Sequence, residues 1–493
     1  MGKNHRHLFL DDHCIKEISS LNRTMHQPEK KGAVFKQLGE AIQIRGAPMW
    51  VPEEKIYKMV YLSEGRFYAT SKDGVQWDIP DLGRPNSLAK NQTSVDSSDP
   101  RWRGGPENVI IDLDDPDQSR RYKALLGGGR DRLPGVSANA YDYKPLNIPT
   151  IPSSDESHLV YDREKGRYLA IVKIADEWGR AFSISFSTDF ENWEPPVHSF
   201  GADEEDQIRT RDVIKDRLSN SNGGGPLFVD PEPPLDYMPE KRNFLSTWAA
   251  DVYNFPVFPY EGMYIGLPTF FYSTGLSGSG DNTDGIKDIQ LTCSRDLINW
   301  DRLGDRRPFI SASRTKDGLL GIYDRNQIST ASHPVERGDE LWFYYTGTKF
   351  RTSPYGFALD RSTRHFSDLS PLERADLEEG LSAICLAVLR RDGFISLDAN
   401  EIGGSLLTCP ISVVGSSLYL NLAVPKGQAV VEVLDGDGNP VVGLSKADCF
   451  PIAGDSVGVR VQWLNGDLEA LEGKEVQLRI YLTNGSLYSF WFE

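Results

Sequence analysis

Ser187-Thr-Asp189-Phe-Glu-Asn-Trp193 recurs, with small changes, as Ser71-Lys-Asp73-Gly-Val-Gln-Trp77 and Ser294-Arg-Asp296-Leu-Ile-Asn-Trp300. All three read Ser-x-Asp-x-x-x-Trp, and each follows an alternating run, Arg66–Thr70, Arg180–Phe186 and Asp288–Cys293. A strand followed by a tight turn accounts for the pattern: the short Asp side chain accepts backbone N–H bonds within the turn, and the Trp folds back onto the sheet. Leu359-Asp-Arg-Ser-Thr-Arg-His-Phe366 is a degenerate fourth copy ending in Phe. Upstream of the copies a second strand is expected in each case, Tyr57–Leu62, Tyr168–Lys173, Tyr264–Tyr272 and Leu341–Thr346. Tyr122–Leu126 reads as a further strand of this type whose Ser-x-Asp turn is missing.

Five units follow, at about residues 40–82, 103–148, 153–198, 248–310 and 320–370. Units of four short strands in series predict a β-propeller, and they are too long for β-helix rungs. Leu8–Asp11 and Ala383–Leu389 fall outside the five, and the N-terminal strand is expected to close the ring by pairing into the last blade. Gly201–Leu245 is an insertion, charge-dense from Asp203 to Arg217 and then Gly- and Pro-rich, expected to rim a pocket or run over the surface. Beyond Gly404 the strands Leu418–Ala423, Gln428–Leu434, Val457–Trp463, Glu475–Leu482 and Leu487–Phe492 predict a β-sandwich. Asp435-Gly-Asp437-Gly-Asn439 lacks the Glu that a twelve-residue calcium loop needs and reads as a hairpin turn. The predicted fold class is all-β, a five-bladed β-propeller at residues 1–400 followed by a C-terminal β-sandwich at 401–493.

Composition agrees. The 493 residues include 45 Gly, 30 Pro, 22 Phe, 20 Tyr and 10 Trp but 6 Met, a mixture that suits short strands and turns. The net charge of −17 argues against nucleic acid and anionic membrane as partners, and no run of 18 apolar residues offers a helical membrane span. Five scattered cysteines without a CxxC pair read as buried thiols rather than a disulfide framework or zinc site. No Walker loop, GxSxG elbow, HExxH or strand-borne GxGxxG is present, so neither cofactor nor metal is expected. The start, MGKNHRHLFLDDH, has no apolar signal core, which makes a cytoplasmic location the default expectation, or a periplasmic or secreted one if a leader has been trimmed.

A small propeller closes around a funnel where the starts of its innermost strands converge. Carboxylates there matter because glycosidic cleavage uses a pair, one protonated to help the leaving oxygen depart and one ionised as base or nucleophile. The segments preceding the Tyr-led strands supply Glu107 and Asn108, Asp155 and Glu156 with His158, Asp251 with Tyr253 and Asn254, and Asp324 with Arg325. Asp155, Asp251 and Asp324 occupy similar offsets in consecutive units and are expected as the central carboxylates, with Glu107 or Glu156 as general acid. His158, Asn108 and Asn254 are expected to bind hydroxyls, Tyr253 and Trp50 to stack on sugar rings, and Arg325 or Arg45 to grip an acidic substituent. Asp112 and Asp162 precede turn sequences and read as turn formers.

Five units with Ser-x-Asp-(Leu/Phe)-x-Asn-Trp turns and a β-rich tail resemble the five-bladed propeller glycoside hydrolases, the broad group of families 32, 43 and 68. Leu8-Phe-Leu-Asp-Asp12-His-Cys-Ile, Arg23-Thr-Met-His26-Gln-Pro-Glu-Lys30, Gly403-Gly-Ser-Leu-Leu-Thr-Cys-Pro410 and Gly454-Asp-Ser456 look like a bacterial branch of that group. The resemblance implies an Asp in blade one, an Asp in blade two and a Glu in blade three. Asp155 or Glu156 stands at the third position and Glu107 at the second, whereas Arg45-Gly-Ala-Pro-Met-Trp50 in the first unit carries no acid and the invertase motifs are absent. The activity expected is hydrolysis of a glycosidic bond in an oligo- or polysaccharide, at a chain end. The alternatives are a non-catalytic carbohydrate-binding propeller, a glycoside phosphorylase and a protein-interaction propeller. Sugar identity and oligomeric state are not set by the sequence.

Overall fold

The computed structural model describes residues 5–38, 40–84, 89–98, 105–127, 130–219, 250–276, 283–314, 320–349 and 371–493. Within them the repeated turn is built three times in one way. Asp73 Oδ1 accepts from the N–H groups of Val75 and Gln76, Asp189 Oδ1 from Glu191 and Asn192, and Asp296 Oδ1 from Ile298 and Asn299, all at 2.7–2.8 Å. The Ser hydroxyl accepts from the N–H three residues on, and each indole N–H donates to the carbonyl of that same residue. That residue has positive φ: Gly74 at 77°, Phe190 at 67° and Leu297 at 71°. Glycine adopts this freely; Phe190 and Leu297 do so with side chains wholly buried, and their burial offsets a backbone cost of roughly 1–2 kcal/mol.

The second unit has the turn after all. In Ser137-Ala-Asn139-Ala-Tyr-Asp-Tyr143, Asn139 Oδ1 accepts from Tyr141 and Asp142, Ser137 Oγ accepts from Ala140, and Tyr143 donates its hydroxyl to Ala140 O. Ala140 has φ 76°. Asn replaces Asp and Tyr replaces Trp with every bond kept, which is why a search for the charged residue misses it. The copy at Leu359–Phe366 lies outside the described residues.

The substitution has a pH consequence. Backbone donors hold Asp73 and Asp296 below the usual carboxylate range, and in Asp189 such donors outweigh the opposing effect of burial. A carboxyl depressed on folding stabilises above its unfolded pKa, about 4, and loses that contribution as pH falls through that value toward the folded one. Acid unfolding of Asp189→Asn, followed by circular dichroism, is therefore expected to be less steep below pH ~4 than that of the parent.

Among the described residues seven sheets carry the strands. Sheet one contains Gln43–Ile44, Met49–Val51, Ile56–Leu62 and Arg66–Ser71. Sheet two runs from Pro106–Ile111 through Tyr122–Leu126 and Asp131–Ser137, and sheet three from Ser157–Asp162 through Arg167–Asp176 and Gly179–Ser187 to Val197–Phe200. The fourth unit is split in two. Ala250–Asn254, Thr269–Leu276 and Thr283–Ile289 form one half; Val257–Tyr260, Met263–Gly266, Thr292–Ser294 and Asp301–Arg302 form the other. Pro256 and Pro268, which have no N–H, interrupt the ladders between the halves, and their carbonyls receive Leu267 and Gln290 N–H instead. Sheet five holds Gln327–Thr330, Val335–Arg337, Glu340–Thr348 and Ser382–Arg390.

The innermost strands touch in order. Asn108 Nδ2 of sheet two donates to Ser157 O of sheet three, His158 Nε2 to Asn254 Oδ1 of unit four, and Asn254 Nδ2 to Ser329 Oγ of sheet five at 2.6 Å. Ala47 N–H of sheet one donates to Ser332 Oγ. Gly46 then abuts Val109, where an added Cβ would lie 2.9 Å from the Val109 nitrogen. Further out, Asp112 accepts from the Tyr168 hydroxyl and Asp162 from that of Tyr264, tying two and three, and three and four. Both are bolts between sheets as well as turn formers, Asp162 and Asp112 accepting from the N–H of Lys165 and Asp114.

A ten-stranded sheet holds the C-terminal strands, among them the unbroken Leu418–Leu434, where two strands were expected. It also takes His7–Leu8, Ile15–Ser19 and Asn22–Met25. The strand at Leu8 therefore pairs with Gly485–Phe492 and not, as expected, with the last of the five units. That place belongs to Glu29–Phe35, antiparallel to Ser382–Arg390 at the edge of sheet five. Its charged, half-exposed Glu-Lys-Lys-Gly start is normal for an edge strand, which natural sheets protect with lysine, and so gives no apolar signal. One apolar core joins the C-terminal sheet to unit four and sheet five through Phe309, Phe343, Phe394 and Phe490. Asp435 is the hairpin turn expected, its Oδ1 accepting from Asp437 and Asn439.

Candidate active site

The charged residues gather where the inner strands begin. Arg45 sits between the two short inner strands of sheet one, Glu107 near the start of its strand, Asp155 and Glu156 just before Ser157–Asp162, and Asp251 and Tyr253 on Ala250–Asn254. Helix Glu204–Ser219, the described part of the insertion, fixes that last strand: Gln207 exchanges two hydrogen bonds with the backbone of Ala250. Asp203 and Asp206 cap the helix reciprocally and are gripped in turn by Arg302 and Arg306.

Glu156 is buried between cations. Arg45 Nη2 contacts Oε1, and Lys173 Nζ lies 2.6 Å from Oε2. Burial works to raise its pKa, but Arg45, Lys173 and Lys287 outweigh it and hold the carboxyl well below the usual range. Lys173 Nζ also lies 3.1 Å from Asp155 Oδ2, and the Asp155 side chain is 58 % exposed. These two oxygens, 3.1 and 2.6 Å from one ammonium, lie at most 5.7 Å apart. Arg180 holds Asp251 with both edges, at 2.8 and 2.7 Å. Beside them Glu107 is paired with Arg66 at 2.6 Å and Arg132 at 3.3 Å. Arg132 also donates to Asp155 O and so links Glu107 to the Asp155 loop. Tyr253 is the hub: Lys287 Nζ, Lys173 Nζ and Arg180 Cζ stand 3.1, 4.5 and 4.8 Å from its ring centroid. The Glu156 charge first, and burial second, push the Tyr253 hydroxyl far above its ordinary pKa.

The expected residues thus divide. Asp155, Glu156, Asp251, Tyr253 and Glu107 meet, with Arg45. Asn108, His158 and Asn254 are wholly buried in the belt joining the inner strands, beneath that cluster. Burial pushes His158 down to about 3, so it stays neutral. Asp324 stands apart, 2.7 Å from Lys30 and accepting from the Tyr345 hydroxyl at 2.8 Å. Its offset in sequence matches its neighbours, but the strand that closes sheet five claims it. Arg325 is committed to the buried Asp376. Trp50 lies at the far ends of the inner strands, where with Ile110, Val160, Phe258, His333 and Pro334 it lines a cavity of about 700 Å³. Asp324→Asn is expected to cost stability, ~1–3 kcal/mol by thermal melting, with no effect on turnover per folded molecule. Lys173, Arg180 and Lys287 are not among the residues expected at the site; Lys173 stands between Val172 and Ile174 in an apolar strand, the one sequence signal of the three, whereas Lys287 is followed by Asp288 and Arg180 preceded by Gly179.

No protein-family profile matches the chain, and no curated protein matches it. Solved structures similar to it are glycoside hydrolases. An exo-β-1,3-galactanase from Phanerochaete chrysosporium shares 12 % identity over 95 % of this chain and 100 % of its own, with TM-score 0.36. A β-fructofuranosidase from Schwanniomyces occidentalis shares 9 % over 95 % and 97 %, with TM-score 0.37. The catalytic domain of a Coprinopsis cinerea GH62 α-L-arabinofuranosidase shares 13 % over 74 % and 97 %, with TM-score 0.38. These likenesses are loose and bear on neither substrate nor catalytic residues.

Proposed function

We propose that the chain is a glycoside hydrolase acting on an oligo- or polysaccharide in the funnel of a five-bladed propeller, residues 1–400, backed by a β-sandwich at 401–493 to which the N-terminal strands add. The observation that carries the reading is the pair Asp155 and Glu156 on the one ammonium of Lys173, at the end of the ring where Arg45, Asp251 and Tyr253 also arrive. Glu156, kept ionised by buried cations, serves as nucleophile or base. Asp155, open to solvent and held by a single lysine, serves as the acid. The buried belt of His158, Asn254 and Ser329 under the site supports exo action, since a chain cannot thread through it.

A second reading, phosphorolysis, is favoured by the cations around Tyr253, which make a seat for phosphate. Both are tested by screening aryl glycosides and oligosaccharides against the parent, Asp155→Asn and Glu156→Gln, with and without inorganic phosphate. Cleavage lost in both variants and indifferent to phosphate supports hydrolysis by this pair. Both variants fully active would overturn the assignment.

A further inference from the structure

Lys287 helps to keep Glu156 ionised from a distance but touches neither carboxylate of the hydrolase pair. It lies on Thr283–Ile289 in the row Asp251, Phe271, Lys287 across three strands, and is 6 % exposed. Among the described residues its side chain has no ion pair and no hydrogen-bond acceptor; its Nζ rests on the ring of Tyr253 at 3.1 Å. The carboxylates near it are engaged, Glu156 by Arg45 and Lys173, Asp251 by Arg180. Arg45, Lys173 and Arg180 each contact a carboxylate of the cluster, and Lys287 is the cation beside them that contacts none. Burial first, and the three other cations with it, drive the lysine well below its ordinary pKa, against the pull of Glu156.

Such a residue weakens the fold. A methionine of similar length would pack against Tyr253 and Phe271 with no charge to desolvate. Buried polar groups left short of a partner in the free protein become selective when the ligand brings that partner, because a ligand lacking it leaves them unpaired. We infer that the sugar bound at Tyr253 carries an oxyanion, a carboxylate or a sulfate ester, received by Lys287 beside Arg180. The inference rests on the glycoside hydrolase reading and narrows its substrate to acidic saccharides. The group arrives as the missing counter-charge and takes charge-assisted hydrogen bonds from Nζ.

The test uses the full chain with oligogalacturonides and oligoalginates as carboxylated probes, carrageenan oligosaccharides as sulfated ones, and arabino-, xylo- and fructo-oligosaccharides as neutral ones, followed by calorimetry and reducing-end release. One acidic series is expected to bind at least about tenfold more tightly than any neutral series, with affinity falling as salt is raised. Lys287→Met is expected to abolish that preference while raising the melting temperature of the free protein. Should Lys287→Met not fold, the preference and salt dependence of the parent decide alone. Neutral sugars cleaved as well as acidic ones, with Lys287→Met unaffected, would overturn the inference and leave the hydrolase standing. Turnover of neutral sugars that requires inorganic phosphate would assign the cations to a co-substrate and overturn it too. No saccharide of any class bound or cleaved would remove the hydrolase reading itself.

Discussion

Glu156→Gln is expected to lower turnover of a cleaved glycoside by about 10²–10⁴-fold, measured as initial rates on matched amounts of folded protein. The amide keeps the size of the side chain and one acceptor oxygen but removes the charge that Arg45 and Lys173 enclose. Because those cations hold Glu156 well below the ordinary carboxylate range, it remains ionised through mildly acidic pH, and any acid limb of activity seen there belongs to another group. The same depression gives a sign to stability: the contribution of Glu156 is present above its unfolded pKa of about 4 and is lost as pH falls through that value. Glu156→Gln should thus also melt earlier at neutral pH, by up to ~3–5 kcal/mol, since two buried cations lose their counter-ion. Asp155→Asn separates the two effects. Its side chain is 58 % exposed, so stability is expected to change by less than ~1 kcal/mol while turnover falls comparably. A Glu156→Gln protein that melts early yet keeps its rate would leave Glu156 a structural ion and move the chemistry elsewhere.

The repeated turn was legible because its function is local: a Ser, an Asp and a Trp at fixed spacing satisfy one another within seven residues, whatever surrounds them. The same locality allowed Asn139 and Tyr143 to replace Asp and Trp without loss of a bond, and so to escape a pattern keyed to the charged residue. Long-range choices were not legible. Glu29–Phe35 rather than Leu8 closes sheet five, because Leu8, Phe9 and Leu10 are drawn into the apolar core shared with the C-terminal sheet. The acids were found by looking just ahead of the inner strands, which brought Asp155, Glu156, Asp251 and Glu107 together but also admitted Asp324, whose partner Lys30 comes from that unforeseen closing strand. Their counter-charges Lys173, Arg180 and Lys287 come from second and third strands of two sheets. No spacing in sequence announces that they converge on Tyr253; the packing of sheet three against unit four places them there.

Asp376→Asn is expected to destabilise the protein by ~3–5 kcal/mol, a fall in melting temperature of about 3–5 °C, without reducing turnover per folded molecule. Helix Pro371–Glu378 delivers Asp376 to the end of sheet five, where Arg325 lies 2.5 Å from one oxygen and Lys349 2.8 Å from the other. All three side chains are at most 1 % exposed, so water cannot replace the lost charge, and the variant leaves a guanidinium and an ammonium side by side with Glu379, 3.8 Å from Lys349, as the nearby carboxylate. The size of the effect follows from that asymmetry: an intact buried pair roughly balances its desolvation, whereas half a pair keeps the cost and forfeits the attraction. Removing a cation as well should recover part of the loss, so Asp376→Asn with Lys349→Met is expected to melt above Asp376→Asn alone, a coupling that a double-mutant cycle reads directly. Arg325 was expected on sequence grounds to grip substrate, and this triad gives it another occupation. If Asp376→Asn folded normally but lost affinity for saccharide, Arg325 would return to the binding site.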